Sequence, residues 1–199
     1  MKYTPTAVDG VTIVDLEPRG DDRGFFARTF DTTEFEAHGL DTTVAQCNLS
    51  YNHRAGTLRG LHRQMPPYAE GKLVRCTAGA IVDVAVDVRP DSPTYGKHVM
   101  VELSAANRRA LFIPPYVAHG YQTLTDDAEV VYQVSGPYAP EGEQGFRYDD
   151  AAFGIEWPVP VTVISDKDAS WPLVGSDGTP ASAGASASAS ASASTEVAP

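Results

Sequence analysis

Apolar and polar positions alternate through most of the chain. Over 81–88, Val82, Val84, Val86 and Val88 fall on one face, with Asp83 and Asp87 on the other. This is the period-two signature of a β-strand with two unlike faces. Val130, Tyr132 and Val134 share a face in the same manner, opposite Glu129, Val131 and Gln133. The same reading predicts strands over 11–16, 24–30, 44–50, 57–64, 72–77, 95–103, 109–113 and 120–123. Turn formers such as Arg89-Pro90-Asp91-Ser92-Pro93 and Asp126-Asp127 separate them. A short helix is predicted over 33–38, with Asp31 or Thr32 as N-cap and Gly39 at its stop. Many short strands with one or two short helices predict an all-β antiparallel sandwich or barrel, and the pattern alone does not choose between them.

The alternation ends near Gly175. Residues 180–194 are almost entirely alanine and serine, with no large apolar side chain to anchor a fold. A disordered tail is expected over 175–199, behind one folded domain over 1–174. With 199 residues and 42% hydrophobic content, the chain has enough material for one good core. Fifteen basic residues against 26 acidic ones give a formal charge of −11. That excess argues against a general nucleic-acid binder, while leaving room for an anionic ligand wherever a few cations gather. Cys47 and Cys76 are the only cysteines and form no CxxC pair, which argues against a disulfide framework or a cysteine zinc site. No run of 18 apolar residues and no apolar leader core occur, so no membrane association and a cytoplasmic setting are expected.

Against this β-rich background the chemistry-bearing side chains stand out. Leu58-Arg59-Gly60-Leu61-His62 and Gly71-Lys72-Leu73-Val74-Arg75 place a guanidinium, an imidazole and an ammonium close together in strand-forming sequence. Ala118-His119-Gly120 adds a second histidine. A base, an anion clamp and a cation that steadies developing negative charge are what proton removal beside a carbonyl requires. Each residue also has an ordinary reading: His62 as a core histidine, Tyr132 as a core tyrosine, Asp168 as an exposed turn acid, Arg23 as a turn cation. Strand interiors, however, seldom collect cations without an anion to receive. Strict alternation puts Arg59 on the opposite face from His62. A bulge at Gly60 would bring both into one pocket.

Taken in order, Arg23-Gly24-Phe25-Phe26, Leu58-Arg59-Gly60-Leu61-His62, Gly71-Lys72-Leu73-Val74-Arg75, Asp83–Arg89 with Ser92-Pro93-Thr94-Tyr95-Gly96, Ala118-His119-Gly120 and Ser165-Asp166-Lys167-Asp168 resemble one family. It is the nucleotide-sugar 3,5-epimerases of deoxysugar synthesis, typified by dTDP-4-dehydrorhamnose 3,5-epimerase, and the similarity runs from about Val11 to Pro172. The resemblance implies a cupin-type jelly roll, a homodimer, and no metal or other cofactor. It implies that His62 is the base, oriented by Asp168, and that Tyr132 is the acid on the opposite face of the sugar. Lys72 and His119 would lie near the enolate and Arg59 near the diphosphate. Arg23, Phe26, Gln46, Asn48, Tyr138 and Glu143 would lie at the nucleotide end, with Phe26 and Tyr138 sandwiching the base.

One position departs from the family pattern. Members commonly carry an acid two residues after the phenylalanine, where this chain has Arg28. A carboxylate accepts from the N3–H of thymine, whereas arginine only donates and suits cytosine. Either Arg28 turns away from the base or the nucleotide is CDP rather than dTDP. A single-centre epimerase at C3 or C5 is a second alternative. A metal-dependent cupin is a third, opposed by the lack of an HxH pair and of a histidine and glutamate beside His62.

Overall fold

The computed structural model describes residues 1–174, and the tail expected over 175–199 lies outside the described residues. Its strands are β1 (Lys2–Pro5), β2 (Thr12–Asp15), β3 (Arg19–Asp21), β4 (Gly24–Phe26), β5 (Gln46–Asn52), β6 (Leu58–Gln64) and β7 (Lys72–Ala78). They continue as β8 (Ala80–Val86), β9 (His98–Ser104), β10 (Ala110–Ile113), β11 (Ala118–Thr123), β12 (Ala128–Val134) and β13 (Glu143–Gly145). Two short helices accompany them, α1 (Thr32–Ala37) and α2 (Asp166–Ala169). A six-stranded sheet in the order β1-β2-β10-β7-β12-β5 faces a five-stranded sheet in the order β13-β6-β11-β8-β9. Between them lie Val74, Cys76, Ile81, Ala85, Leu103, Leu111, Tyr121 and Val130. Two antiparallel sheets packed over one core make the jelly roll that the resemblance implies.

The faces of β8 carry more information than their alternation alone gives. Val82, Val84, Val86 and Val88 do share a face, but it is the one turned away from the facing sheet. They pack with Leu61 of β6 in the same sheet and with Phe146, Phe153 and Trp157 from the segment after β13 that wraps the outside. The other face holds Ile81 and Ala85 in the inter-sheet core and leaves Asp83 fully buried between them. Asp87 is buried as well, and its carboxylate accepts from the Arg89 guanidinium (2.8 Å) and from the Thr94 hydroxyl (2.5 Å), tying down the loop before β9. Those hydrogen bonds outweigh the opposing effect of burial and hold its pKa far below the usual aspartate range.

The predicted helix forms as expected. Asp31 caps it, accepting from the Glu34 N–H, and Gly39 takes a φ of +70° just past its end. Its Phe35 is buried against Leu73, Ala110 and Phe112 on the outer face of the six-stranded sheet. The strand predicted over 24–30 stops at Phe26. It finds only β3 as a partner and forms an exposed two-stranded hairpin before the chain enters α1. Cys47 is exposed and Cys76 buried, and neither is in a disulfide.

Candidate active site

A cleft opens between the two sheets at one end of the roll. Its inner part, about 300 Å³, is lined by Arg59 and His62 from β6, His119 from β11, Lys72 from β7, Tyr132 from β12, and Lys167 and Asp168 from α2. An outer part of about 470 Å³ shares His62, Lys72 and Tyr132 and adds Gln46, Asn48, Gln64, Glu70, Tyr138 and Glu143. The imidazoles therefore come from one sheet, and the phenol and ammonium from the sheet facing it.

Gly60 is the local reason that Arg59 and His62 meet. His62 pairs with His119 across the ladder, while Arg59 pairs with Tyr121. One strand advances three residues while its neighbour advances two, which is a bulge. Gly60 has a φ of +114°, and a Cβ there would sit 2.5 Å from Gly120 Cα. Only glycine lets the backbones come so close in this conformation.

His62 Nε2 lies 2.6 Å from Asp168 Oδ1. Asp168 is buried at the first turn of α2, and its Oδ2 accepts from the Gly60 N–H at 3.3 Å. Its own N–H donates to the Ser165 hydroxyl, the cap of that helix. Burial alone would raise the Asp168 pKa. The His62 contact, with help from Gly60 and Ser165, outweighs it and holds the carboxyl below the usual range. Asp168 is thus a buried partner of His62 rather than the exposed turn acid of its ordinary reading.

A second pair repeats the theme. His119 Nε2 lies 2.6 Å from Asp83 Oδ1, and burial pushes the Asp83 carboxyl upward against the pull of His119. Lys72 Nζ donates to Glu70 Oε1, and Lys167 Nζ donates to Glu143 Oε1 at 2.8 Å. Each of these four carboxylates in or behind the cleft has a nitrogen partner, an imidazole for Asp168 and Asp83 and an ammonium for Glu70 and Glu143. Arg59 is different: its Nε donates to the neutral Asn52 side chain at 2.8 Å, so its charge has no carboxylate partner among the described residues. Arg63 also lacks one, but it is bound to Gln144 and to the Val88 and Tyr116 carbonyls and lies over the Phe146 ring. Burial, reinforced by the charge of Glu70 and opposed by Arg59, raises the pKa of Tyr132.

At the outer end, the Tyr138 N–H donates to Gln46 Oε1 (3.1 Å) and its hydroxyl to Glu143 Oε2 (3.0 Å). Tyr138 is 55% exposed. Three residues assigned to this end by resemblance are not in the cleft of this chain. Arg23 and Phe26 sit on the β3–β4 hairpin, where Phe26 is 68% exposed and Arg23 pairs with Asp21. Arg28 pairs with Asp31 at 3.1 Å and borders a separate depression with Phe26, Glu17 and Glu34. Sequence reasoning missed Glu70, Asp83, Gln64 and Lys167. Lys167 stands inside the Ser165–Asp168 motif and Glu70 two residues before Lys72, so proximity in sequence was the available signal for both.

The sequence and fold are similar to those of known proteins. A sequence model of the family described as dTDP-4-dehydrorhamnose 3,5-epimerase matches residues 5–175. The dTDP-4-dehydrorhamnose 3,5-epimerase of Sinorhizobium fredii is 44% identical over 173 residues, 86% of this chain and 89% of that protein. The crystal structure of the Bacillus anthracis enzyme of that name, with TDP and PPi bound, superimposes with a TM-score of 0.83 at 39% identity, covering 86% of this chain and 98% of the other. A 3'-monoepimerase from Streptomyces bikiniensis, in complex with dTDP-quinovose, superimposes with a TM-score of 0.78 at 35% identity, covering 85% and 86%. Matching in sequence over residues 5–175 and in fold over most of its length, the chain belongs to the dTDP-4-dehydrorhamnose 3,5-epimerase family.

Proposed function

We propose that this protein inverts C3 and C5 of a dTDP-linked 4-keto-6-deoxyhexose by removing and returning protons, without a cofactor. The observation that carries this reading is the placement of the His62–Asp168 pair and Tyr132 on facing sheets of one cleft, with the Lys72 ammonium beside it. Epimerisation takes a proton from one face of the sugar and returns one to the other, so an acid and a base on opposite walls suit it. His62 accepts the proton beside the C4 ketone, and the C–H electron pair moves into the enolate. Lys72, with His119, steadies the charge on the enolate oxygen, because a preorganised cation at the developing charge is the strongest available aid. Asp168 fixes the imidazole tautomer and supports the imidazolium. Tyr132 delivers its proton to the opposite face, and solvent exchange resets both groups. The net change moves protons only, so the chemistry requires no hydride carrier.

Arg59, with no carboxylate of its own, receives the diphosphate. Gln46, Asn48, Tyr138 and Glu143 hold the nucleotide end. Arg23 and Phe26 reach that end from a second copy of the chain, in a homodimer. The exposure of Phe26 and its distance from its own cleft support this arrangement. Mixing His62→Ala with Phe26→Ala protein tests it, since hybrid dimers would regain one intact site and therefore activity. Arg28 is engaged by Asp31, which favours dTDP over CDP as the nucleotide.

Solvent-deuterium incorporation into dTDP- and CDP-linked 4-keto-6-deoxyglucose tests the whole reading. Label at both C3 and C5 of the dTDP sugar is the expected result. Label at one carbon would support the second reading, a single-centre epimerase, which the similarity to the 3'-monoepimerase keeps open.

A further inference from the structure

Within the cleft, Glu70 belongs to none of the roles given above. We propose that Glu70 is a positioning residue for the epimerisation, fixing the Lys72 ammonium on the cleft wall and setting the electrostatic surroundings of the Tyr132 phenol. The inference rests on the proposed function, since it assigns Lys72 and Tyr132 their parts.

Glu70 is 9% exposed and lies just before β7, two residues ahead of Lys72. Its carboxylate accepts from Lys72 Nζ, and among the described residues each is the other's only side-chain partner. A carboxylate this deeply buried is costly unless paired. The reciprocal benefit falls on the lysine, whose long flexible stem would otherwise sample many rotamers. Held by Glu70, the ammonium stands at one place on the wall before substrate arrives, which is the condition for stabilising an enolate without reorganisation.

The second effect is on Tyr132. The groups facing it and Lys72 are Arg59, His62 and Arg63 from β6, His119 and Tyr121 from β11, Tyr138 from the loop after β12, Glu143 from β13, Lys167 and Asp168 from α2, and Glu70 from the loop before β7. His62, His119, Lys167 and Glu143 are already paired, and Arg63 is held by neutral groups. Glu70 lines the same part of the cleft as Tyr132 while it holds Lys72, and its charge favours the protonated phenol, whereas Arg59 favours phenolate. An acid catalyst must hold its proton until the enolate forms. Glu70 thus biases Tyr132 toward the state in which it can donate.

Glu70→Gln removes the charge and keeps the shape. The Tyr132 titration, read as the phenolate absorbance difference between parent and Tyr132→Phe protein, should move to lower pH in the Glu70→Gln background. With it, the alkaline limb of kcat should begin at lower pH. Exchange at neutral pH should fall by about tenfold, short of the 10²–10⁴ expected for loss of a general acid or base. KM should be unchanged or lower, because a negative charge has left a cleft that receives a diphosphate. Glu70→Asp retains the charge and should keep the parental titration with a reduced kcat, so it stands in if Glu70→Gln fails to fold. A Tyr132 titration and pH profile identical to the parent's in Glu70→Gln, or a shifted titration in folded Glu70→Asp, overturns the proposal. The titration needs no turnover. A parent enzyme without deuterium exchange would therefore refute the proposed function while the titration still judged Glu70.

Discussion

Replacing Asp168 by asparagine removes one charge and almost no volume, and the structure sets the size of the effect. When His62 takes a proton it becomes an imidazolium with Asp168 Oδ1 at 2.6 Å from its Nε2. Charge centres then lie about 4 Å apart, and at an effective dielectric near 20 their attraction is about 4 kcal/mol. At about 1.36 kcal/mol per decade, losing all of it would slow proton abstraction by about 10³. Asparagine still offers a neutral hydrogen bond worth about 1 kcal/mol, which returns part of the loss. It cannot satisfy both neighbours as well as the carboxylate does. With its oxygen toward His62, its NH₂ meets the Gly60 N–H, which now donates to Asp168 Oδ2 at 3.3 Å. Asp168→Asn should therefore lower the single-turnover rate of solvent-deuterium incorporation into the dTDP-linked 4-keto sugar by about 10²–10³, with KM little changed. Loss of less than about fivefold, under about 1 kcal/mol, in a folded variant would refute the pairing of these two residues as a catalytic unit.

Tyr132→Phe should preserve proton removal at the first carbon while inversion at C5 becomes slow or incomplete, and parental product ratios by NMR would show that another acid serves. Gly60→Ala places a methyl 2.5 Å from Gly120 Cα and 2.7 Å from the His119 carbonyl at a φ of +114°. The conformation alone costs about 1–3 kcal/mol. The variant should melt earlier and lose exchange activity in the surviving folded fraction, whereas an unchanged melt and rate would mean the bulge is not needed. Asp87→Ala strips a buried carboxylate from Arg89, Ser92 and Thr94 and should cost about 3–5 kcal/mol in denaturant titration. Because the folded pKa of Asp87 lies far below its unfolded value, its contribution is complete above pH of about 4 and is lost as pH falls below that. The gap between parent and variant should narrow in acid; a gap independent of pH would contradict the assignment.

The helix over 33–38 was legible because its signals are local: a capping aspartate, one buried aromatic and a terminating glycine lie within nine residues of chain, from Asp31 to Gly39. The short strands were legible for the same reason, since pleating makes alternation a property of neighbours. Their ends were less so, and the stretch over 24–30 shows why. It has strand-forming residues but finds a partner only as far as Phe26. The hairpin also carries Arg23 and Phe26 away from the cleft, and no pattern within that segment says so.

By itself, the sequence determined which side chains share a face, where a bulge was needed to reconcile Arg59 with His62, and which titratable side chains stand in strand-forming segments. Which face turns inward was decided by the tertiary structure. Val82 to Val88 look like a core face, yet they meet Phe146, Phe153 and Trp157 on the outside, while Asp83 turns inside to His119. His62 and Asp168 are 106 positions apart, and Asp83 and His119 are 36 apart. A period-two pattern encodes only the relation of a residue to its immediate neighbours. The partner that makes a buried carboxylate tolerable arrives through sheet pairing, which brings distant segments together and leaves no local trace in either one.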